Sequence, residues 1–239
     1  MTRKTVKPYK PHFNHKSNEG MKYVPLNDRL ARYVNECRSR DGDRVLKELR
    51  AETEKKFPDF AMMQIGWDQG TFMTLLVAAL GVREAIEIGT FTGYSSICIA
   101  RGLPPQGRLL CLDVSDEWTS LARKYWKRAG VDKKIELRLG PGTESMKKLE
   151  RGRKFDFAFI DADKPGYNDY YELILPRMKQ NGMILFDNML WGGRLGKKAP
   201  IKHPNGKVID RLNRKLARDP RVESVLLTVG DGIHACRVL

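Results

Sequence analysis

Cysteine is scarce and scattered in this 239-residue chain: Cys37, Cys98, Cys111 and Cys236 share no close spacing. That excludes a zinc cluster and a disulfide framework, and leaves buried reduced thiols in a cytoplasmic protein as the expectation. Also absent is any run of about eighteen apolar residues, so nothing is suited to cross a bilayer as a helix. The longest mostly apolar stretch, Phe72 to Val82, is broken by Thr74 and ends near a glycine, so it reads as a buried helix. Met1 to Lys22 never becomes the apolar block of a signal peptide. Histidines are few, and His12, His15 and His234 offer no ligand spacing. No internal repeat or low-complexity segment stands out.

Acidic residues are outnumbered, with 29 Asp and Glu against 44 Lys and Arg, for a net charge of +15. The excess is local. Residues 1–22 carry six Lys or Arg against one acid, and residues 191–221 carry ten against two, which together supply +13. Such fields favour an anionic partner, RNA or a phosphate-bearing small molecule, although a solvated basic surface explains them equally. No alternation of aromatic and basic residues marks a stacking groove.

Hydrophobic residues make up 41% of the chain, enough for a full core at this length. Residues 1–22 lack apolar periodicity and read as a basic flexible arm; 23–239 reads as one domain with a helical preamble over 23–80. In the preamble Leu26, Leu30 and Val34 recur at helical spacing, Asp43 is placed to cap a second helix through Val45 and Leu49, and Pro58 closes it. A third helix, about Gln69 to Leu80, is expected to carry Phe72, Leu75, Leu76 and Ala79 on one side. From Val82 short apolar runs alternate with helical stretches, the pattern of a mostly parallel sheet with helices on both faces. The expected strands are Glu84–Ile88, Arg108–Leu112, Ile135–Leu139, Phe155–Ile160 and Met183–Phe186, with helices over Ser115–Ala129 and Tyr167–Met178. Val222–Val229 and Ile233–Leu239 form a hairpin through Gly230-Asp231-Gly232, so one of seven strands must run antiparallel. Gly192 to Lys207, rich in Gly, Lys and Pro, reads as a long loop able to cover substrate.

Two runs switch from apolar residues to oxygen donors where a buried strand would surface: FIDADK, 159–164, and LFDNM, 185–189. With the strands adjacent, Asp161, Asp187 and Asn188 converge on one sheet edge. Three oxygen donors leave an octahedral shell open for water and for two neighbouring substrate oxygens; magnesium is expected, with manganese or calcium as alternatives. Lys164, three residues after Asp161, shares the pocket and can serve as base, since a cation beside it disfavours its protonated form. Helix caps, a turn and a surface lysine are the plain alternatives for these four. Trp191 either frames an aromatic substrate or seals the sheet edge, and His203, in the basic loop, either reaches substrate or is solvated. Tyr167, Tyr170 and Tyr171 read as helix packing rather than chemistry.

The strand Ala85–Ile88 runs into Gly89-Thr90-Phe91-Thr92-Gly93-Tyr94-Ser95, a strand-to-helix turn whose glycines allow close approach of a ligand. Asp113, at the end of the next strand, can accept both hydroxyls of a ribose. A nicotinamide turn normally has a third glycine, where this chain has Ser96, and Glu87 would repel a diphosphate while attracting an amino group. S-adenosylmethionine meets these demands: ribose on Asp113, ammonium near Glu87 or Asp161, carboxylate at backbone donors and Ser95, and adenine near Gly140, Pro141 and Gly142.

Taken in order, EIGTFTGYSS (87–96), LDVSDEW (112–118), FDFAFIDADKPGYNDYYE (155–172), NGMILFDNMLWGG (181–193) and DPRVESVLLTVGDGI (219–233) resemble the cation-dependent, S-adenosylmethionine-dependent O-methyltransferases, the caffeoyl-CoA and catechol O-methyltransferases and their bacterial relatives. The resemblance spans about Pro58 to Leu239. It implies the α/β Rossmann-like class I methyltransferase fold, a seven-stranded mostly parallel sheet with one antiparallel strand, and a homodimer. Asp161, Asp187 and Asn188 match its metal ligands and Lys164 its lysine. Glu87, Gly89, Phe91, Ser95, Asp113, Gly142 and Asp161 are the expected cofactor contacts. The chain departs from the pattern at Gln64 to Gly70, QIGWDQG, where many relatives are rich in serine and threonine, and in the loop 192–207. The expected acceptor is a hydroxyl of a catechol-like or phenolic small molecule, including an anionic thioester. A hydroxylated tRNA base is the second reading, and a non-enzymatic RNA-binding protein the third. The helices around Leu26 to Leu49 are candidates for the dimer contact.

Overall fold

Strands that are apolar along their whole length, rather than at alternate positions, belong in a sheet covered on both faces, and such runs form the centre of this protein. The computed structural model describes residues 24–39, 43–195 and 200–239. The expected basic arm, 1–22, and residues 196–199 of the long loop lie outside the described residues. The chain divides into two units between Asp41 and Gly42. In the first, α1 (Asp28–Glu36) starts at Asn27, whose side chain accepts from the Leu30 amide at 3.0 Å. None of its residues is buried, and Cys37, which follows it, is exposed. Cys98, Cys111 and Cys236 are buried and form no disulfide among the described residues, so the expectation of buried thiols fails at Cys37 alone.

The second unit opens with α2 (Arg44–Lys56), capped by Asp43 as expected, and α3 (Trp67–Ala79). It then runs β1 (Glu84–Ile88), α4 (Tyr94–Gly102), β2 (Arg108–Asp113), α5 (Asp116–Arg128), β3 (Ile135–Leu139), α6 (Gly142–Lys147), β4 (Phe155–Ile160), α7 (Tyr167–Ile174), β5 (Met178–Phe186), α8 (Pro204–Leu216), β6 (Val222–Leu227) and β7 (Ile233–Val238). The seven strands lie in the order β3-β2-β1-β4-β5-β7-β6. Pairs from β3 through β5 are parallel, and β7 is antiparallel to both β5 and β6. Strand side chains alternate between two apolar layers. Ala85, Leu109, Cys111, Phe157 and Phe159 pack on one face with Leu49, Val77, Ile97 and Trp126; Ile86, Ile88, Leu110, Leu112 and Ile160 pack on the other with Tyr167, Ile174, Ile209 and Leu212. Chain order reverses between the neighbours β1 and β4. That reversal opens a crevice at the carboxyl ends of the strands.

Four local expectations need correction. The buried stripe of α3 is Gly70, Met73 and Val77; Leu75 is 62% exposed and Ala79 is exposed too, because a segment apolar on every side carries no contrast to mark its inner face. The helix expected through Met178 ends at Ile174, and Pro176, which has no amide hydrogen, lies in a 3-10 turn. β5 begins at Met178 rather than Met183: its register with β4 shifts between Phe155 and Phe157, and Asn181, at φ 63°, takes up the irregularity. Finally, the last four residues of the expected loop, 204–207, are the first turn of α8, which has Pro204 at its start, His203 as its cap, and Ile209, Leu212 and Leu216 buried. Among the described residues no helix is long and apolar enough to cross a membrane.

Candidate active site

Backbone hydrogen bonds continue past the strands and tie their carboxyl ends into one row. The Gly140 amide donates to Asp113 O (2.9 Å), Gly89 to Leu112 O (2.9 Å), Asp161 to Ile88 O (2.9 Å) and Asp187 to Ile160 O (3.1 Å). Every acidic position singled out at a strand end is therefore on the same edge. Gly89 shows how closely the row is packed. Its φ is 92°, and a Cβ placed there would lie 2.1 Å from the carbonyl oxygen of Asp161. No other residue type fits, so the glycine turn and the DADK segment touch backbone to backbone.

Asp113 does more than the sequence suggested. Its Oδ2 accepts from the amides of Thr90 (2.9 Å) and Phe91 (2.8 Å), and its Oδ1 from Ser115 (2.8 Å). The carboxylate therefore shapes the turn and holds Phe91 at φ 50°. A carboxylate has about four acceptor positions, so roughly one strong site remains for a ligand hydroxyl. The Phe91 ring meets Trp118 edge-on at 5.2 Å and lies 6.3 Å from Phe57. A buried polar trio braces the same turn from behind: Gln64 Nε2 donates to Thr53 Oγ1 (3.0 Å) and Thr92 Oγ1 (2.8 Å), and the two hydroxyls are 3.0 Å apart. Gln64 lies in the segment that departs from the expected pattern.

Glu87 is fully buried on β1. Burial pushes its carboxyl up to about 8, against the nearby hydroxyls and thiol of Ser95, Cys111 and Thr90, which favour the charged form; the Asp161 charge adds to the rise. The Cys111 thiol donates to Oε2 at 3.3 Å, whereas Oε1 has no hydrogen-bond partner among the described residues. An unpartnered buried carboxyl oxygen beside a ligand turn suits an ammonium group. Ser95, buried in the first turn of α4, stands on the same side. Gly142 opens α6, and a Cβ there would come within 2.9 Å of the Tyr170 ring, so packing alone demands glycine at that position.

Across the seam, Asp187 is buried and pushed up to about 7 by burial and then by the Asp161 charge, offset in part by the Asn188 amide, Gln69 and Lys164. Two neighbouring carboxylates, Asp161 and Asp187, beside the oxygen of Asn188, a residue held at φ 57°, fit a hard cation. Among the described residues no three His, Cys, Asp or Glu side chains form a metal cluster, so a cation here would rest on Asp161, Asp187 and the Asn188 amide oxygen. Gln69, also buried, offers its Nε2 without a partner in ordinary hydrogen-bond geometry among the described residues.

Lys164 Nζ donates to Asp161 Oδ1 (3.0 Å) and to the Tyr167 hydroxyl (2.6 Å), and that hydroxyl in turn donates to the Asp187 carbonyl (3.2 Å). Burial, reinforced by Asp161 and Asp187, holds the Tyr167 phenol well above its ordinary range, so it remains a neutral donor. Tyr167 was expected only to pack; its place three residues after Lys164 was the available signal. Tyr170 donates to Asp163 at 2.5 Å, and Asp163 caps the turn that carries Lys164. Trp191, at φ 52°, and His203 come together with ring centroids 5.4 Å apart, and His203 Nδ1 accepts from the Asn205 amide at the start of α8. The 188–192 turn is fastened to the hairpin tip, with Met189 and Leu190 amides donating to Gly232 and Asp231 carbonyls and the Gly192 amide to Asp231 Oδ1 (2.6 Å). That role of the tip was not legible from its glycines, which a plain turn would also require.

Comparison with known proteins agrees with this geometry. The family described as O-methyltransferase matches residues 36–239. The caffeoyl-CoA O-methyltransferase of Medicago sativa is 35% identical over 231 residues, covering 91% of this chain and 92% of that one. Among solved structures, the O-methyltransferase from Bacillus cereus in complex with SAH has a TM-score of 0.78 at 30% identity, covering 87% of this chain and 96% of the other. The SAH-bound methyltransferase PaMTH1 of Podospora anserina has a TM-score of 0.80 at 28% identity, covering 92% and 99%.

Proposed function

The chain belongs to the O-methyltransferase family and is an S-adenosylmethionine-dependent O-methyltransferase, and from that premise we propose that its acceptor is a phenolic hydroxyl with a second oxygen beside it. The carboxylate pair and Asn188 support that choice, because they can hold a divalent cation with positions left open for two adjacent oxygens. When bound, the cation supplies Lewis-acid stabilisation of the developing oxyanion. The Medicago sativa relative is named for caffeoyl-CoA, which supports a phenolic acyl thioester as the form of the acceptor.

The observation that carries the mechanism is the setting of Lys164. A neutral amine has two N–H groups and one lone pair. Asp161 and Tyr167 take the two N–H groups, so the lone pair is left for the acceptor's proton. The acceptor oxygen then attacks the methyl carbon, the carbon–sulfur bond breaks, and sulfur keeps the electron pair. Glu87 meets the donor's ammonium, Asp113 a ribose hydroxyl, and Ser95 with the first amides of α4 the carboxylate. Trp191 and His203 border the acceptor. Most of the rate enhancement comes from holding the sulfonium methyl and the oxygen in line.

The test is a methyl-transfer assay on catechol-type acceptors and their single-hydroxyl counterparts, before and after exhaustive chelation. Chelation should abolish transfer, magnesium should restore it, and the paired-oxygen acceptors should be strongly preferred. Full transfer after chelation would sink the cation's role, and equal rates on both acceptor types would sink the bidentate reading.

A further inference from the structure

A cleft of about 600 Å³ lies between the end of α8 and the start of β6, lined by Arg211, Arg214, Lys215, Arg218 and Arg221 with Asp219 as its one acid. It is separate from the methyl-transfer edge. α8 starts beside Trp191 and runs thirteen residues away from it, roughly 20 Å at 1.5 Å per residue. Val222 pairs with Val238, at the end of the β7 ladder opposite the Phe186–His234 pair, which neighbours Asp187.

The cleft is built rather than merely basic. Asp219 is internally committed: it accepts from the Tyr171 hydroxyl (2.9 Å) and from Arg221, its side chain is only 6% exposed, and these donors hold its carboxyl well below the usual range. Arg221 is gripped in turn by Glu172 (2.9 Å), which also holds Lys215 (2.7 Å), and Arg214 pairs with Asp210 (3.1 Å). These pairs fix the wall. The side chains of Arg211 and Arg218, both exposed, make no hydrogen bond or ion pair among the described residues. Arg211 lies on α8 and Arg218 just past its end, both on one side of the cleft, where like charges repel unless something anionic lies between them.

We propose that this cleft binds a small molecule carrying two or more phosphate groups. Two guanidinium forks without internal partners in one cleft suit a ligand that carries more than one phosphate. No aromatic side chain lines the cleft, which removes the base stacking that single-stranded nucleic acid would use.

Calorimetric titration of the full chain with tripolyphosphate and with orthophosphate, at low ionic strength, tests the assignment. Tripolyphosphate should bind one to one and more tightly than orthophosphate. Replacing Arg211→Ala together with Arg218→Ala should weaken it by about tenfold or more, while the charge-matched pair Lys127→Ala and Lys133→Ala should not. The Arg218→Glu variant should lose binding with an unchanged melting temperature, since Arg218 has no internal partner to lose. Absent binding, binding indifferent to the arginine pair, or equal loss in the lysine control would overturn the site. Single-stranded RNA that binds through the arginine pair and resists displacement by tripolyphosphate would overturn the small-molecule assignment in favour of a nucleic acid.

Discussion

Glu87→Gln gives the most quantitative test of the donor site. In the folded, ligand-free protein burial pushes the Glu87 carboxyl up to about 8, from an ordinary value of 4.5, because it disfavours the charged form. A raised folded-state value means that the stabilising contribution is complete below about 4.5 and is lost as pH climbs through about 8. At about 1.36 kcal/mol per unit, the full loss is on the order of 5 kcal/mol, and by pH 7 it is already roughly 3 kcal/mol. Glutamine keeps the shape and cannot ionise. The stability difference between variant and parent, measured by urea unfolding without ligand, should therefore widen in favour of glutamine by about 3 kcal/mol between about pH 5.5 and about pH 8.5. Taking the difference cancels other titrations, including that of Asp187. The same residue should announce the ligand. If the donor's ammonium restores the carboxylate, binding at about pH 7 releases about 0.9 proton, read by calorimetry in buffers of different ionisation enthalpy. The variant should release none and bind more weakly. A pH-independent stability difference, or equal proton release from both proteins, would refute the reasoning.

Lys164→Ala should lower turnover by about 10²- to 10⁴-fold while leaving S-adenosylmethionine affinity within about twofold; loss of affinity in equilibrium titration would argue against a base. Tyr167→Phe removes the hydroxyl that orients Lys164, so kcat should fall by about tenfold, with little change in KM and a displaced pH–rate profile; an unchanged profile would leave Tyr167 with packing alone. Gly89→Ala should destabilise the fold by about 3 kcal/mol or more, or abolish cofactor binding, because its Cβ meets backbone that cannot yield. Thermal unfolding with and without S-adenosylmethionine reads both outcomes.

What could be read from the chain followed contrast. FIDADK and LFDNM change abruptly from apolar to acidic, and the sheet places those changes on one edge, as anticipated. Where contrast is missing, inference failed. α3 is apolar all round, so its inner face was misassigned, and α8 carries so many cations that the apolar stripe Ile209, Leu212 and Leu216 was overlooked. Residues acting through neighbours left little trace. Tyr167 looks like any buried tyrosine until Lys164 is placed against it, and Asp113 looks like a ligand carboxylate until the amides of Thr90 and Phe91 are found on it. The protonation of Glu87 depends on total burial, a tertiary property that no local spacing encodes.

The contact of Gly89 with the Asp161 backbone has a consequence for how such an enzyme diversifies. The glycine turn and the DADK segment meet through main chain, so side-chain replacement does not move one relative to the other. The spacing between these two main-chain segments is thus set by the sheet itself. New acceptors must be won at the rim, at Trp191 and His203, whose replacement leaves that main-chain contact in place.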